Sequence, residues 1–379
     1  MYQNITRPLT FIALLVNCCV GIAQTDLPWK TSTAEKEGMD QSVLDDLHRA
    51  IENDEYGLID RFLVIRNDKV VFDKKYKQDY QTIASQYDTT NYQYNYDHPD
   101  WHPYYKGTSL HTLQSVTKSV TALLLGIAWD QGQMIPVDSA AMSLFQDYSF
   151  DLSDPRKQSI TLHDLLTMQG GIEWDEASYD EADNDCVVME LSEDWIQYVL
   201  DKQMATDPGT QFNYNSGISV LLGKIVRIST GMTIDKWAEQ KLFKPLGITD
   251  YYWKKTPKGE IDTEGGLYLS TYALAKIGYL MLNDGVWNGQ QIVSKKWVQQ
   301  SIQPHVQFSE QSGYGYQWWV PEVADGKPKV FAGNGYGGQF LMVAPEEDLI
   351  VVFNGWNIHD QPEKSSWVVL QDIILPSLK

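Results

Sequence analysis

An apolar segment in the first third of the chain constrains the fold more than any other feature. The stretch "VTALLLGIA", residues 120–128, extends a pattern in which apolar residues recur three or four positions apart, namely Leu113, Val116, Val120, Leu123, Leu124 and Ile127. A helix that is apolar on every side is buried on every side. We therefore predict a central helix that begins near Ser115 and is surrounded by other layers of structure.

Two polar residues lie at the start of this helix. Ser115 and Lys118 are three residues apart, and no other serine in the chain has a lysine at that spacing. An ordinary interpretation is a helix-start serine followed by a solvated lysine. The alternative is a nucleophile with its base one turn away, because burial lowers the pKa of a lysine and a neutral amine can accept a hydroxyl proton. These residues alone leave both interpretations open.

The order of strand-like and helical segments indicates the architecture. "RFLVIRNDKVVFDKKY" is typical of a hairpin with its turn at Asn67 and Asp68, and four short strands follow near the C-terminus, "YGYQWWV", "KPKVFAG", "QFLMVAP" and "DLIVVFNGW". Helical patterns lie between them, and "SSWVVLQDIILPSL" predicts a last helix that covers the sheet. We predict an α+β fold with an antiparallel sheet built from both chain ends, flanked by helices, and a mostly helical inserted region. One domain spans 27–379, with a sheet part at about 55–80 and 312–379 and a helical part at about 107–300.

The N-terminus and the net charge restrict location and partners. Residues 1–23 carry Arg7, an apolar run and a small pair before Gln24, which predicts a signal peptide cleaved near Ala23 and a secreted or periplasmic protein. A lipoprotein through Cys18 or Cys19 is the less favoured alternative. The apolar run is too short for an integral membrane span. Fifty acidic against thirty basic residues give a net charge of −20, which argues against nucleic-acid partners.

Two features could be interpreted as a metal site or a reactive thiol, and we predict neither. "YDHPDWH" offers Asp97, His98, Asp100 and His102, but Pro-rich loops collect such residues freely, so no metal and no cofactor are predicted. The Tyr- and Trp-rich segment 87–105 around it is either an aromatic wall over a pocket or a loop anchored by its rings. Cys186, the single cysteine after residue 23, is interpreted as a small core residue.

Two further motifs contain candidate site residues. "DPGTQFNYNSG" places Tyr214 and Ser216 beside a helix start after a Pro-Gly turn, although a tyrosine in a turn is usually there for packing. "FAGNGYGGQFLMVAPE" contains Gly333 and Gly335 in a formal G-x-G-x-x-G, but a strand rather than a helix follows, which excludes a dinucleotide site. We expect these glycines to let a strand edge approach a ligand and offer it a backbone N–H.

The order of these motifs resembles the serine β-lactamase and penicillin-binding-protein superfamily, in its class C-type branch. That branch also holds D-alanyl-D-alanine carboxypeptidases, family VIII esterases and the 6-aminohexanoate-dimer hydrolase. The resemblance covers residues 27–379 and rests on segments in the family order: "LQSVTKSVTALLLGIAWDQG", "ITLHDLLTMQGGIEWDE", "PGTQFNYNSG", "EGGLYLSTYALAKIGYLML", "YGYQWWV" and "GNGYGGQFLMVAPEEDLIVVF".

The resemblance implies a set of roles. Ser115 would be the acyl-accepting nucleophile, Lys118 its proton acceptor, and Tyr214 the hydroxyl that relays protons to the leaving group. The backbone N–H groups of Ser115 and Tyr336 would form the oxyanion hole. The substrate-binding positions would be Ser216, Gly333, Asn334 and Gly335.

Two departures from the family pattern narrow the function. Gly333-Asn334-Gly335 stands where β-lactamases and peptidases of the family have Lys-Thr-Gly or His-Thr-Gly, so the cation that binds a substrate carboxylate is missing. Ser216 stands where an Asn is usual. We therefore expect a secreted serine hydrolase that cleaves a small ester or amide. The alternatives are a penicillin-recognising D-Ala-D-Ala carboxypeptidase or β-lactamase, and a non-turnover binding or sensor protein on the same fold.

Overall fold

The structure is a computed structural model that describes residues 29–85, 107–177, 179, 183–310, 312–324, 327–358 and 362–379. Several sequence predictions lie outside these residues. They are the signal peptide with Cys18 and Cys19, the aromatic segment 87–105, and the candidate ligands Asp97, His98, Asp100 and His102.

The strands come from both ends of the described chain. They are β1 (Lys30–Thr31), β2 (Ile59–Arg66), β3 (Lys69–Lys75), β4 (His111–Thr112), β5 (Tyr252–Trp253), β6 (Leu267–Leu269), β7 (Val286–Trp287), β8 (Gln290–Gln291), β9 (Val306–Ser309), β10 (Ser312–Tyr314), β11 (Trp319–Ala324), β12 (Lys327–Gly335), β13 (Gln339–Ala344) and β14 (Leu349–Gly355). Nine of them form the main sheet in the order β1-β3-β2-β14-β13-β12-β11-β10-β9. Its pairs are antiparallel except for the short edge strand β1, which runs parallel to β3. The predicted α+β fold is confirmed.

The hairpin of β2 and β3 has the predicted turn. Asn67 and Asp68 both take left-handed backbone conformations, with φ of 51° and 59°. Two consecutive residues of that kind match the right-handed twist of the flanking strands. The turn therefore fixes the register in which Arg66 lies opposite Lys69.

One predicted strand is wrong. "YGYQWWV" was expected as a single strand, but β10 ends at Tyr314 and β11 begins at Trp319. Gln317 between them has φ of 58° and is buried, and its side chain accepts from Ser219 at 2.7 Å and donates to Leu166 O at 3.0 Å. These contacts hold residues 315–318 as a turn that ties the sheet to the helical region.

The helices are α1 (Gln41–Glu52), α2 (Tyr80–Ala84), α3 (Val116–Asp130), α4 (Pro155–Ser159), α5 (Leu162–Leu166), α6 (Asp185–Leu191), α7 (Trp195–Asp201), α8 (Ser216–Thr230), α9 (Ile234–Ala238), α10 (Thr271–Leu282) and α11 (Lys295–Ile302). A π-helical turn, Glu239–Phe243, continues α9. As predicted, α3 is central: Val116–Ala128 is buried throughout, and α3 contacts β12, α8 and α11.

Each face of the sheet has its own core. Leu63 and Ile65 of β2 point to the face covered by α3, α8 and α10, whereas Phe62 and Val64 point to the opposite face. α1 and the C-terminal segment pack on that second face. The alternation of side chains along a strand therefore separates the two cores.

The C-terminal segment covers the sheet as expected, but not as a regular α-helix. It consists of a 3-10 turn at Ser366–Val368, a π-helical turn at Val369–Ile374 and a second 3-10 turn at Leu375–Ser377. Pro376 has no amide hydrogen to continue a regular ladder.

Within the described ranges no single helix is long and apolar enough to cross a membrane. The helices Ser216–Thr230 and Ile234–Phe243 together have the length and apolar composition of a membrane span, but a 70° bend separates them. Nearly all of the apolar residues of α8 are buried in the core.

Candidate active site

The fold presents Ser115 at the N-terminal end of α3. The preceding residue, Gln114, has φ of 46°, an uncommon conformation for a residue with a side chain. Ser115 occupies the N-cap position, yet its hydroxyl makes no capping hydrogen bond. The ordinary interpretation of a helix-capping serine is therefore wrong, and the hydroxyl is left for other chemistry.

Lys118 lies one helical turn away and bonds to that hydroxyl. Its Nζ donates to Ser115 Oγ at 2.8 Å, to the backbone oxygen of Glu264 at 2.8 Å and to Glu264 Oε2 at 3.2 Å. The side chain is 1% exposed. An ammonium group has three protons to donate, so these three acceptors fix its position.

The charge of Lys118 differs from the sequence prediction. Burial lowers the pKa of this lysine, as expected, but its electrostatic interactions with Tyr214, Glu264 and Glu176 raise it by more, and the net shift is upward. The expectation of a lysine whose pKa is lowered by burial is therefore wrong. The residues that reverse the shift, Tyr214 first and then the carboxylates Glu264 and Glu176, come from distant parts of the chain, and a helical pattern cannot reveal their approach.

Tyr214 completes a group of three around the serine. It precedes α8, whose N-cap Asn215 accepts from Ile218 N at 3.0 Å. Its ring lies 5.3 Å from Lys118 Nζ and stacks on Trp319 at 5.8 Å. Burial raises the pKa of Tyr214, while the charge of Lys118 and hydrogen bonding to Ser115 oppose that rise. The phenol is therefore held in its protonated form beside both groups.

Ser216 is placed differently from its predicted role. The residue is fully buried. Its backbone N–H and its hydroxyl both donate hydrogen bonds to the Glu176 carboxylate, at 2.8 Å and 2.6 Å. Glu176 also accepts from Trp174 and Tyr179. The proton of the Ser216 hydroxyl is thus already donated within the protein, so a substrate can at most donate to this oxygen.

The glycines of β12 pack against the start of α3. A Cβ added at Gly335 would lie 2.3 Å from Leu113 O, and one at Gly333 would lie 2.7 Å from Val116 Cγ1. Both glycines are therefore required for the close approach of strand and helix, and their approach to a ligand stays a prediction. β11 pairs with β12 only as far as Ala332. Residues 333–335 extend past β11, next to the turn that carries Ser115.

Asn334 and Tyr336 flank these glycines. Side chains alternate along β12, so Asn334 points away from α3, towards the face where its partner Phe340 belongs to the second core. Its side chain therefore points away from the serine, and only its backbone lies along this edge, so a contact of Asn334 with substrate at the serine would be made by the backbone. The Tyr336 hydroxyl donates to Ile358 O at 2.6 Å, and its ring lies 5.0 Å from that of Tyr179. These contacts position the Tyr336 backbone just beyond Gly335.

Glu264 is the main residue of the site that the sequence did not reveal. It is 5% exposed and lies in the loop "DTEGG", where Asp262 Oδ1 accepts from Glu264 N at 3.2 Å and from Gly265 N at 3.0 Å. This loop places the backbone oxygen and the side-chain Oε2 of Glu264 beside Lys118 Nζ. An acidic residue beside two glycines, just before the strand-like "LYL", is a weak signal that could have identified it.

One buried group has the composition of a metal site. Cys186, Glu190 and Glu264 each offer a ligand atom within 4.8 Å of the others. However, Lys118 already binds Glu264, and a hydrogen bond joins the carboxyl groups of Glu190 and Glu264. Burial raises the pKa of the Cys186 thiol, which keeps its proton. These contacts describe an internal hydrogen-bonded cluster rather than a set of open ligands.

Comparisons with known proteins agree with the fold and with the order of motifs. The family model for beta-lactamases matches residues 60–362. The 6-aminohexanoate-dimer hydrolase of Paenarthrobacter ureafaciens is 24% identical over 297 residues, 70% of this chain and 70% of that protein. The lovastatin esterase of Penicillium rubens is 30% identical over 158 residues, 36% of this chain and 38% of that one. The crystal structure of a family VIII carboxylesterase has a TM-score of 0.63 at 13% identity and covers 92% of this chain and 99% of its own.

The matched region covers most of the molecule. It begins within β2, includes α3 and the helical region, and ends beyond β14. The resemblance inferred from the motifs is therefore confirmed over residues 60–362, which include the sheet strands from β2 to β14 and the residues around Ser115. The chain belongs to the beta-lactamase family and, as its relatives are, is a serine hydrolase.

Proposed function

We propose that the protein cleaves a small ester or amide by transferring its acyl group to Ser115 and then to water. The observation that carries this proposal is the 2.8 Å hydrogen bond from Lys118 Nζ to an Oγ that caps no helix. A serine is a weak nucleophile unless an adjacent base can take its proton. The buried lysine one turn away meets that geometric requirement.

In this mechanism Lys118 acts after it has lost a proton to solvent, and its neutral amine takes the Oγ proton as Oγ attacks the substrate carbonyl. The N–H groups of Ser115 and Tyr336 stabilise the oxyanion, helped by the positive end of α3. The Tyr214 hydroxyl then gives its proton to the leaving group and takes one from the Lys118 ammonium, and the acyl-enzyme remains. Water attacks this ester in the second half of the cycle and releases the acid.

The preference for an ester or amide without a carboxylate rests on the residues of β12. Gly333 supplies no cation where a carboxylate of a penicillin or peptide would need one. Two relatives are named as a 6-aminohexanoate-dimer hydrolase and a lovastatin esterase, which supports cleavage of an ester or amide. The absence of a carboxylate from the substrate rests on Gly333 alone. A β-lactamase or D-Ala-D-Ala carboxypeptidase is the second candidate, since the family model is named for the first and a relative from Escherichia coli is named as a putative example of the second.

A substrate panel separates these candidates. Purified protein is assayed with short-chain nitrophenyl esters, an aminohexanoate dimer, a chromogenic cephalosporin and a peptide ending in D-Ala-D-Ala. We expect kcat/KM for the neutral esters to exceed that for the cephalosporin and the peptide. Cephalosporin turnover as fast as ester turnover would show that another basic residue binds the carboxylate, and labelling without release on every substrate would indicate a binding protein.

We also propose that the protein is exported with cleavage near Ala23, from the charged and apolar pattern of its first residues. N-terminal sequencing of the protein recovered from the periplasm or medium tests this. A mature N-terminus at Gln24 is expected, whereas a lipid-modified N-terminus at Cys18 or Cys19 would support the lipoprotein alternative.

A further inference from the structure

Behind the serine and lysine lies a buried acidic cluster that the mechanism above does not use. It consists of Glu264, Glu190 and Asp262, which are between 0% and 5% exposed. Buried carboxyl groups are costly unless they are paired or hydrogen-bonded. Two buried lysines lie beside this cluster, Lys118 at Glu264 and Lys254 at Asp262, and the contact with Lys118 links the cluster to Ser115.

Glu264 contacts Lys118 through both its backbone and its side chain, at 2.8 Å and 3.2 Å. These are two of the three acceptors around Nζ, and the third is Ser115 Oγ. A change in the Glu264 side chain therefore acts on the lysine directly and reaches the serine through it.

Glu190 supports Glu264 without adding charge. Its carboxyl group hydrogen-bonds to Glu264, and burial raises its pKa well above the usual range, which favours the neutral form of Glu190. Asp262 forms the loop through its contacts with Glu264 N and Gly265 N, and burial raises its pKa to about 6. Lys254 lies 3.7 Å from Asp262 on the far side.

Among the described residues, the groups that face Lys118 come from four parts of the chain. They are Tyr214 before α8, Glu264 before β6, Glu176 before α6 and Cys186 within α6. Tyr214 and Cys186 have raised pKa values and hold their protons near neutral pH. Of the two carboxylates, Glu264 bonds directly to Nζ, whereas Glu176 is bonded to Ser216, Trp174 and Tyr179.

We propose that Glu264 is a positioning residue that fixes the Lys118 amine on Ser115 and sets the pH at which the site becomes active. This inference rests on the proposed function, because it assumes that Ser115 must lose its proton. The negative carboxylate of Glu264 stabilises the charged form of Lys118, so Lys118 loses its proton only at higher pH. The activity is therefore tuned to rise from neutral towards alkaline pH.

The test is the pH profile of Ser115 reactivity in Glu264→Gln. Without the Glu264 carboxylate, Lys118 loses its proton more easily. The acidic limb of the kcat/KM profile therefore moves to lower pH, by about 1 to 3 pH units for a charge at this distance. The same limb is measured from the rate of fluorophosphonate labelling of Ser115, which needs no known substrate. A Glu264 that is only structural would lower the rate at every pH and leave the limb in place.

Two matched variants complete the experiment. Glu190→Gln keeps a neutral donor of the same shape, so the limb should stay where it is. Glu264→Asp keeps the charge but shortens the reach, so it should lower the rate with little movement of the limb. A limb that moves equally in Glu190→Gln and Glu264→Gln, or that does not move in Glu264→Gln, overturns the inference.

A separate readout distinguishes this failure from failure of the proposed function. The Lys118 Nζ resonance is followed by NMR against pH in ¹⁵N-lysine-labelled protein, with Lys118→Ala for assignment. A titration that falls to lower pH in Glu264→Gln supports the inference even if Ser115 never reacts with the probe. An unchanged Lys118 titration contradicts it even if Ser115 is labelled, and thermal unfolding establishes that each variant is folded.

Discussion

Replacing Gly335 by alanine should disable the site while leaving the protein folded. The added Cβ would lie 2.3 Å from Leu113 O, and heavy atoms essentially never approach a Cβ closer than 3.0 Å, so strand and turn must separate by about 0.7 Å. Leu113 lies two residues before Ser115, so this shift displaces the nucleophile from the oxyanion donors. A misplacement of about 1 Å can cost about 100-fold in rate, so we expect kcat to fall about 10- to 100-fold.

The cost in stability should be modest. Overpacking of this kind typically costs about 1–3 kcal/mol, which a chain with two extensive cores tolerates. The assay compares kcat for a nitrophenyl ester with the midpoint of thermal unfolding in the wild type and Gly335→Ala. Gly315→Ala is the matched control, because its Cβ would lie 2.1 Å from Ser301 O, outside the turn that carries Ser115. Wild-type kcat in Gly335→Ala, or an equal loss in Gly315→Ala, would refute the reasoning.

Three further predictions address the roles of individual residues. Ser115→Ala and Lys118→Ala should each lower kcat by about three or more orders of magnitude. The double variant should be little worse, because the two residues act as a unit. Additive losses in steady-state assays would contradict the pairing. Tyr214→Phe should cost about 100-fold or more for an alkyl ester or amide but less for a nitrophenyl ester, since a good leaving group departs without a proton; small, equal losses in pre-steady-state acylation would remove Tyr214 from the mechanism. The pKa of Glu37 is lowered from its ordinary value of 4.5 to about 2, chiefly by the hydrogen bond from Lys69. The Glu37 carboxylate therefore stabilises the fold fully above pH 4.5, and this contribution is lost as the pH falls through 2. Glu37→Gln should accordingly flatten the decline of the unfolding midpoint on the acid side. A decline as steep in Glu37→Gln as in the wild type would contradict this assignment.

The parts of the fold that depend on local pattern could be predicted from the sequence. The hairpin at Asn67 and Asp68 follows from turn chemistry, and the burial of α3 follows from its apolar faces. The turn inside "YGYQWWV" could not be predicted, because Gln317 is held by Leu166 and Ser219 from elements 98 residues or more away in the chain.

The same distinction applies to the site. Ser115 and Lys118 lie on one helical turn, so their spacing alone brings them together. Glu264 is 146 residues from Lys118, and no local pattern connects them. The predicted direction of the Lys118 pKa shift was wrong because the sequence reveals burial, but not that the fold brings Tyr214, Glu264 and Glu176 to the buried amine.

The identity of the nucleophile is tested most directly by mass spectrometry of the protein after reaction with a fluorophosphonate probe. We predict one adduct per chain, on Ser115 in the tryptic peptide 107–118, with no adduct and no ester hydrolysis in folded Ser115→Ala. An adduct on another serine, or a Ser115→Ala variant that hydrolyses the ester at the wild-type rate, would contradict the assignment of Ser115 as the residue that accepts the acyl group.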